Sequence, residues 1–163
     1  MPKETIPFSA FIESAGAKHT EFINQLHDLL LENDCKTEIK VAANGLVVSY
    51  LHQPTKRTVA NYIFRKNSPM IRVYADHIAN YQGLLADWPE SMKAIIKKAG
   101  PCKRMLKPDA CNSRCPMGFD FDLDDERLKK CRYSFIFKLE DESKPHLRTM
   151  MEREIKMREL PAD

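Results

Sequence analysis

Glycine is scarce in this chain, at five residues in 163. Loops that wrap a phosphate need glycine at fixed intervals, and neither G-x-x-x-x-G-K-[S/T] nor G-x-G-x-x-G occurs. G-x-S-x-G and H-E-x-x-H are also missing, so no hydrolase or metalloprotease signature stands out. No apolar run approaches the ~20 residues that span a bilayer, which argues against a membrane role. The opening stretch, MPKETIPFSAFIESAG, carries acids and lacks an apolar core, so no secretory signal is expected and the protein is placed in the cytoplasm. Repeats, low-complexity tracts and Gly/Ser linkers are absent too. A single domain over residues 1–163 follows: a helical segment 1–35, sheet and helices 36–100, a cysteine loop 101–118, then strands and a C-terminal helix 119–163.

The formal charge of +3 hides an asymmetry, because residues 51–108 alone carry +8. A segment this basic suits an acidic partner, nucleic acid included, although a solvated face of lysines would look the same.

Periodicity changes along the chain. TEFINQLHDLLLEN, 20–33, places Phe22, Ile23, Leu26, Leu29 and Leu30 on one helical face, with Thr20 as its N-cap. Pro7 and Ser9 open a shorter helix before Gly16. LVVSYLHQ (46–53), RTVANYIFRK (57–66) and MIRVYAD (70–76) read as an antiparallel meander, with 36–42 as an edge strand before Asn44-Gly45. Leu84 and Leu85 mark a short helix, and Met92, Ile95, Ile96 and Ala99 stripe the next, started by Pro89 and stopped by Gly100-Pro101. Phe119, Phe121 and Leu123 alternate with aspartates. Tyr133, Phe135, Phe137 and Leu139 alternate opposite Arg132, Ser134 and Lys138, and these two strands should pair or share a sheet. Ser143 caps a last helix with Leu147, Met150, Met151 and Ile155 as its apolar stripe. The fold class is α+β: an antiparallel β-meander with helices on one face and a cysteine-rich loop.

That loop, CKRMLKPDACNSRCPMGFDF, raises the most specific chemical question. Cys102, Cys111, Cys115 and Cys131 follow the spacing C-x8-C-x3-C-x15-C. Reduced thiols in a cytoplasmic chain point to metal or redox chemistry before structural disulfides. Zinc takes four such donors in a tetrahedron, and a structural site would fasten a long irregular loop. An iron–sulfur cluster can use the same thiolates. Thiol redox is a third reading, since Lys103, Arg104 and Arg114 flank the sulfurs. No C-x-x-C is present, and buried or incidental thiols would give a similar count. Cys35 stands apart as a core filler.

Other constellations are weaker. Asp76-His77 suits acid–base work if the two side chains meet, but a helix N-cap at Asp76 explains the pair more simply. Tyr50, Tyr62, Phe64 and Tyr74 interleave with Arg57, Arg65, Lys66 and Arg72, the pattern of a base-stacking sheet or of a sheet core with an arginine rim. Asp120, Asp122, Asp124, Asp125 and Glu126 fail the calcium-loop pattern at its glycine and read as the wet face of a strand.

NGLVVSYLHQPTKRTVANYIFRK, IRVYADH, CKRML, CNSRCPMGFDF and KCRYSFIFKL together resemble a family of small uncharacterised bacterial proteins, over roughly residues 36–155. The resemblance implies matching positions at the four cysteines and at Asp76-His77, and no activity. A fainter similarity is to YjbR-like and YdhG-like α+β domains, which lack the cysteine loop.

The residues therefore point to a binding domain in preference to an enzyme. A structural zinc is expected on Cys102, Cys111, Cys115 and Cys131, and a ligand or protein site near Arg65, Arg72, Tyr74, Asp76 and His77. A nucleic-acid module and an iron–sulfur or thiol-redox protein are the alternatives.

Overall fold

The computed structural model describes residues 5–112 and 114–160. Residues 1–4 of the opening stretch, Ser113 in the cysteine loop and positions 161–163 lie outside them. Helix α1 (Phe8–Ala15) starts after Pro7 and stops at Gly16, whose φ of +96° favours glycine. Helix α2 (Thr20–Glu32) buries Phe22, Ile23, Leu26 and Leu30. Thr20 is not its cap: His19 holds that position, and the Thr20 hydroxyl turns back to the Gly16 carbonyl at 3.5 Å.

Strands β1 (Cys35–Ala42), β2 (Gly45–His52), β3 (Arg57–Arg65) and β4 (Ser68–Val73) form the expected meander. Strand β4 ends at Val73, three residues earlier than alternation alone suggests. Next come α3 (Ile78–Tyr81), a 3-10 turn over Gln82–Asp87 and α4 (Glu90–Lys98). Pro89 caps α4, and Met92 and Ile96 are its buried positions. Ile95 is 40% exposed, and Lys93 is buried in its place with its ammonium 3.1 Å from Asp124. Helix α5 (Lys103–Leu106) is a single turn inside the cysteine loop.

Strands β5 (Phe119–Leu123) and β6 (Glu126–Lys130) make a hairpin of their own. Asp124 and Asp125 form its turn, both with positive φ (51° and 64°), the geometry that matches strand twist in a two-residue loop. Strand β7 (Ile136–Lys138) joins β4, so the main sheet runs β1-β2-β3-β4-β7. The two late strands thus neither pair nor share a sheet. Residues 126–130 outcompete the later segment because the tight turn closes first in sequence. Phe119 and Phe121 still meet Phe135, at ring distances of 5.2 and 5.5 Å.

One sheet face carries Val48, Tyr50, Ala60, Tyr62, Phe64, Ile71, Val73 and Phe137, all buried. Helices α1, α2, α4 and α6 (Lys144–Glu159) pack on this sheet, as in the Phe11–Tyr62 and Trp88–Phe137 ring contacts. The α+β architecture with an antiparallel meander is therefore the observed one. No helix among the described residues is long and apolar enough to cross a membrane.

Gly118 stands where the loop passes the hairpin. A Cβ there would lie 2.0 Å from the Lys130 carbonyl oxygen and 3.0 Å from Cys102 Cβ. Backbone cannot yield like a side chain, so Gly118→Ala is expected to lower unfolding free energy by about 1–3 kcal/mol, read from the urea midpoint.

Candidate functional site

The last helix brings two charges into the core. Glu154 is fully buried and Arg158 nearly so, on the same stripe as Met150, Met151 and Ile155. Glu154 accepts from the Tyr81 hydroxyl at 2.6 Å, from the His77 amide at 3.0 Å, from His77 Nδ1 at 2.8 Å and from Arg158 Nε at 2.7 Å. Burial, with Glu154 alongside, pushes the Tyr81 phenol well above its ordinary value, so it remains a donor. An ionised carboxylate only accepts, which fixes the proton on His77 Nδ1 and leaves Nε2 outward-capable.

Arg158 then crosses to the meander. Its guanidinium donates to the carbonyls of Arg57 (3.0 Å), Thr58 (3.1 Å) and Tyr74 (3.0 Å) and to Asp76 Oδ2 (3.1 Å). Asp76 also pairs with Arg132 and stands 4.0 Å from Arg57 Nη1. Two carboxylates and two buried guanidinia thus balance in one network, so few of their hydrogen-bonding positions are left unmet.

Over this network lies a groove of about 480 Å³. Its walls come from three segments: 56–58 after the β2–β3 turn, 111–116 in the cysteine loop, and 131–133 after β6, with Tyr74 also lining it. Lys56, Arg57, Arg114 and Arg132 line it, and no carboxylate is among its described lining residues. Arg132 sits over the Tyr74 ring at 5.0 Å and Arg72 over the Tyr133 ring at 4.9 Å, while the two tyrosines meet edge to face at 6.2 Å. Arg72 Nε is buried with no acceptor among the described residues.

The expected site residues divide. Arg72, Tyr74 and Asp76 gather at this groove or beneath it, and His77 follows them on Glu154. Asp76 is neither the partner of His77 nor a helix cap, because its carboxylate is held by arginines and His77 occupies the cap of α3. Arg65 lies at the other end of β3, roughly 25 Å along the strand from Arg57. It borders a different groove with Met70 and Ile136.

The cysteines divide as well. Cys111, Cys115 and Cys131 line the groove, while Cys102 is buried and its Sγ accepts the Gly118 amide at 3.3 Å. Among the described residues, no three His, Cys, Asp or Glu side chains stand together as a metal-binding group. Cys35 fills the core, its thiol pushed up to about 11 by burial. The aspartates of the hairpin serve ion pairs: Arg127 grips Asp120, and hydrogen bonds from Lys97 and Lys93 hold Asp124 below the usual carboxylate range.

Glu154 and Arg158 were not foreseen. Their signal is a Glu-x3-Arg pair set on an apolar stripe, since 154 and 158 follow Met150 and Met151 at helical spacing. Tyr133 and Arg132 reverse their expected sides: Tyr133 is 54% exposed while Arg132 and Ser134 are buried. The chain turns after β6 and leaves the alternation of an extended strand.

No family model matches the chain, and no curated protein or solved structure matches it. The chemistry of the site stands on its own residues. Glu154→Gln is expected to remove about 3–5 kcal/mol of stability, because it leaves Arg158 buried without its carboxylate. Urea unfolding of this variant, of Arg158→Met and of the double variant should show strongly non-additive losses.

Proposed function

We propose that this chain is a non-enzymatic binding domain that takes a small anionic ligand in the groove between the β2–β3 turn, the cysteine loop and residues 131–133. One observation carries the reading: cations from three separate segments line one groove that has no carboxylate among its described lining residues. The groove volume falls in the ~300–1,000 Å³ range of small-molecule sites. Arg132 is anchored by Asp76 and Tyr74, whereas Arg57 is half-exposed and able to close on a carboxylate or phosphate. The buried Arg72 Nε is a further donor in want of an acceptor near Tyr133.

Nucleic acid would have to be held differently. Tyr50, Tyr62 and Phe64 are buried under the helices, so of the aromatics in the meander pattern only Tyr74 reaches the groove, joined there by Tyr133. A stacking platform needs several open rings in a row. A free small anion fits the groove better than a strand of bases.

Titration with inorganic phosphate and with citrate, followed by amide NMR shifts, should move residues 56–58, 112, 114–115 and 131–133. Lys56→Glu with Arg57→Glu should weaken this binding at least about tenfold, and added salt should weaken it in the wild type. Saturable shifts confined to another surface, or none, would overturn the reading. Binding of a single-stranded oligonucleotide with phosphate silent would favour the nucleic-acid module.

The zinc reading is supported by three of its four thiols lining one groove. It requires the loop to shift until Cys102 Sγ leaves the Gly118 amide, because the sulfurs do not stand as a tetrahedral set. Chain purified without added metal should then hold about one zinc, and its thiols should titrate only after chelation. Metal-free protein with reactive Cys111, Cys115 and Cys131 removes that reading, and a brown chromophore replaces zinc with an iron–sulfur cluster.

A further inference from the structure

We propose that the open thiols of the groove form a modification site for small carboxylate-bearing disulfides, with Cys131 as the sulfur that keeps the adduct. The proposal rests on the anion-binding reading of the same groove and adds a covalent step to it.

The chain sorts its cysteines into two kinds. Cys35 and Cys102 are enclosed, at 5% and 6% exposure. Cys111 is exposed and Cys115 and Cys131 are half-buried, all as free thiols. The three open sulfurs share their groove with Lys56, Arg57 and Arg114. A disulfide whose ends carry carboxylates would be drawn in by these cations, and its sulfurs would be delivered beside thiols. A neutral or cationic disulfide would have no such hold.

Cys131 differs from the other two in how its backbone is fixed. Its amide donates to the Gly100 carbonyl at 2.9 Å, and its own carbonyl accepts the Ser134 amide at 3.0 Å and the Ser134 hydroxyl. Its neighbour Arg132 is tied to Asp76. Cys111 and Cys115 ride on the loop, held at Cys115 by its amide on the Asn112 carbonyl (3.1 Å) and by Arg104 on its own carbonyl. A sulfur on fixed backbone meets a bound reagent in one geometry, whereas sulfurs on the loop need the loop to settle first.

The step is thiol–disulfide exchange. The Cys131 thiol gives its proton to solvent, and the thiolate attacks one sulfur of the small disulfide. A new S–S bond forms as the old one breaks, and the departing thiolate takes the electron pair and then a proton. The small disulfide is itself the oxidant, reduced to one equivalent of thiol per adduct formed.

The test uses the reduced full chain, kept in chelator. It is treated with oxidised glutathione, whose ends carry carboxylates, and separately with cystamine, whose ends are cationic. Adducts are followed by intact mass and located by peptide mapping. Oxidised glutathione should react at least about tenfold faster than cystamine, on Cys131. The preference should collapse in Lys56→Gln with Arg57→Gln, two exposed positions whose side chains the fold does not need. Cys131→Ser should lose the charge-selective adduct and Cys111→Ser should keep it. Equal rates for the two disulfides, or a selective adduct on another cysteine, would overturn the proposal. Binding of succinate to the Cys111→Ser, Cys115→Ser, Cys131→Ser triple variant separates the two ideas. Succinate binding without a selective adduct in the wild type overturns the thiol step and leaves the anion site, and absence of both removes both.

Discussion

The guanidinium of Arg158 is the contact on which the rest of this architecture depends. Five acceptors surround it: Glu154, the carbonyls of residues 57, 58 and 74, and Asp76. A guanidinium has five N–H donors, so the residue is fully engaged. It ends two strands at once, β3 at its start and β4 just past its finish, where backbone carbonyls no longer have a ladder partner. In doing so it fastens the last helix to the sheet through polar contacts, while Leu147, Met150, Met151 and Ile155 do the same through apolar ones.

What this contact sets is position more than energy. Burying two carboxylates and two arginines costs desolvation that their attraction roughly offsets, so a well-packed apolar cluster could hold the helix about as firmly. An apolar cluster would not, however, aim Asp76 at Arg132, nor hold Arg132 flat over Tyr74. The groove walls at 56–58 and 131–133 are fixed relative to each other because both are tied to Asp76 and Arg158. The third wall, the cysteine loop, leans on them through few hydrogen bonds, and Gly118 lets it pass the hairpin at a distance no side chain would permit.

Much of the framework was legible in the sequence, because hydrophobic alternation and helical stripes report burial directly. The meander, α2, α4 and α6 all followed from that signal. The fate of residues 126–130 did not, since ERLKK offers only Leu128 to the core and its strand character comes from the turn before it. The site was legible in fragments. Tyr74, Asp76 and the three groove cysteines lie near one another in space, but nothing in their spacing joins them to Glu154 and Arg158, some eighty residues on. Pattern reading treats a charge on an apolar stripe as an interruption; in the folded chain it is the junction. Arg65 misled for the converse reason: near Arg57 along the chain, it stands at the far end of the same strand.

The bonds from Arg158 to residues 57 and 58 span about a hundred positions of sequence. During synthesis the meander is made long before the side chain that closes its ends, so strands β3 and β4 must wait with their terminal carbonyls hydrated. Contacts of such separation slow the search for the native state, since the loop entropy is lost before the contact forms. The interior ion cluster should accordingly be among the last features to assemble, and the nascent chain with its final helix still in the ribosome would present a sheet whose basic rim has not yet been drawn into shape.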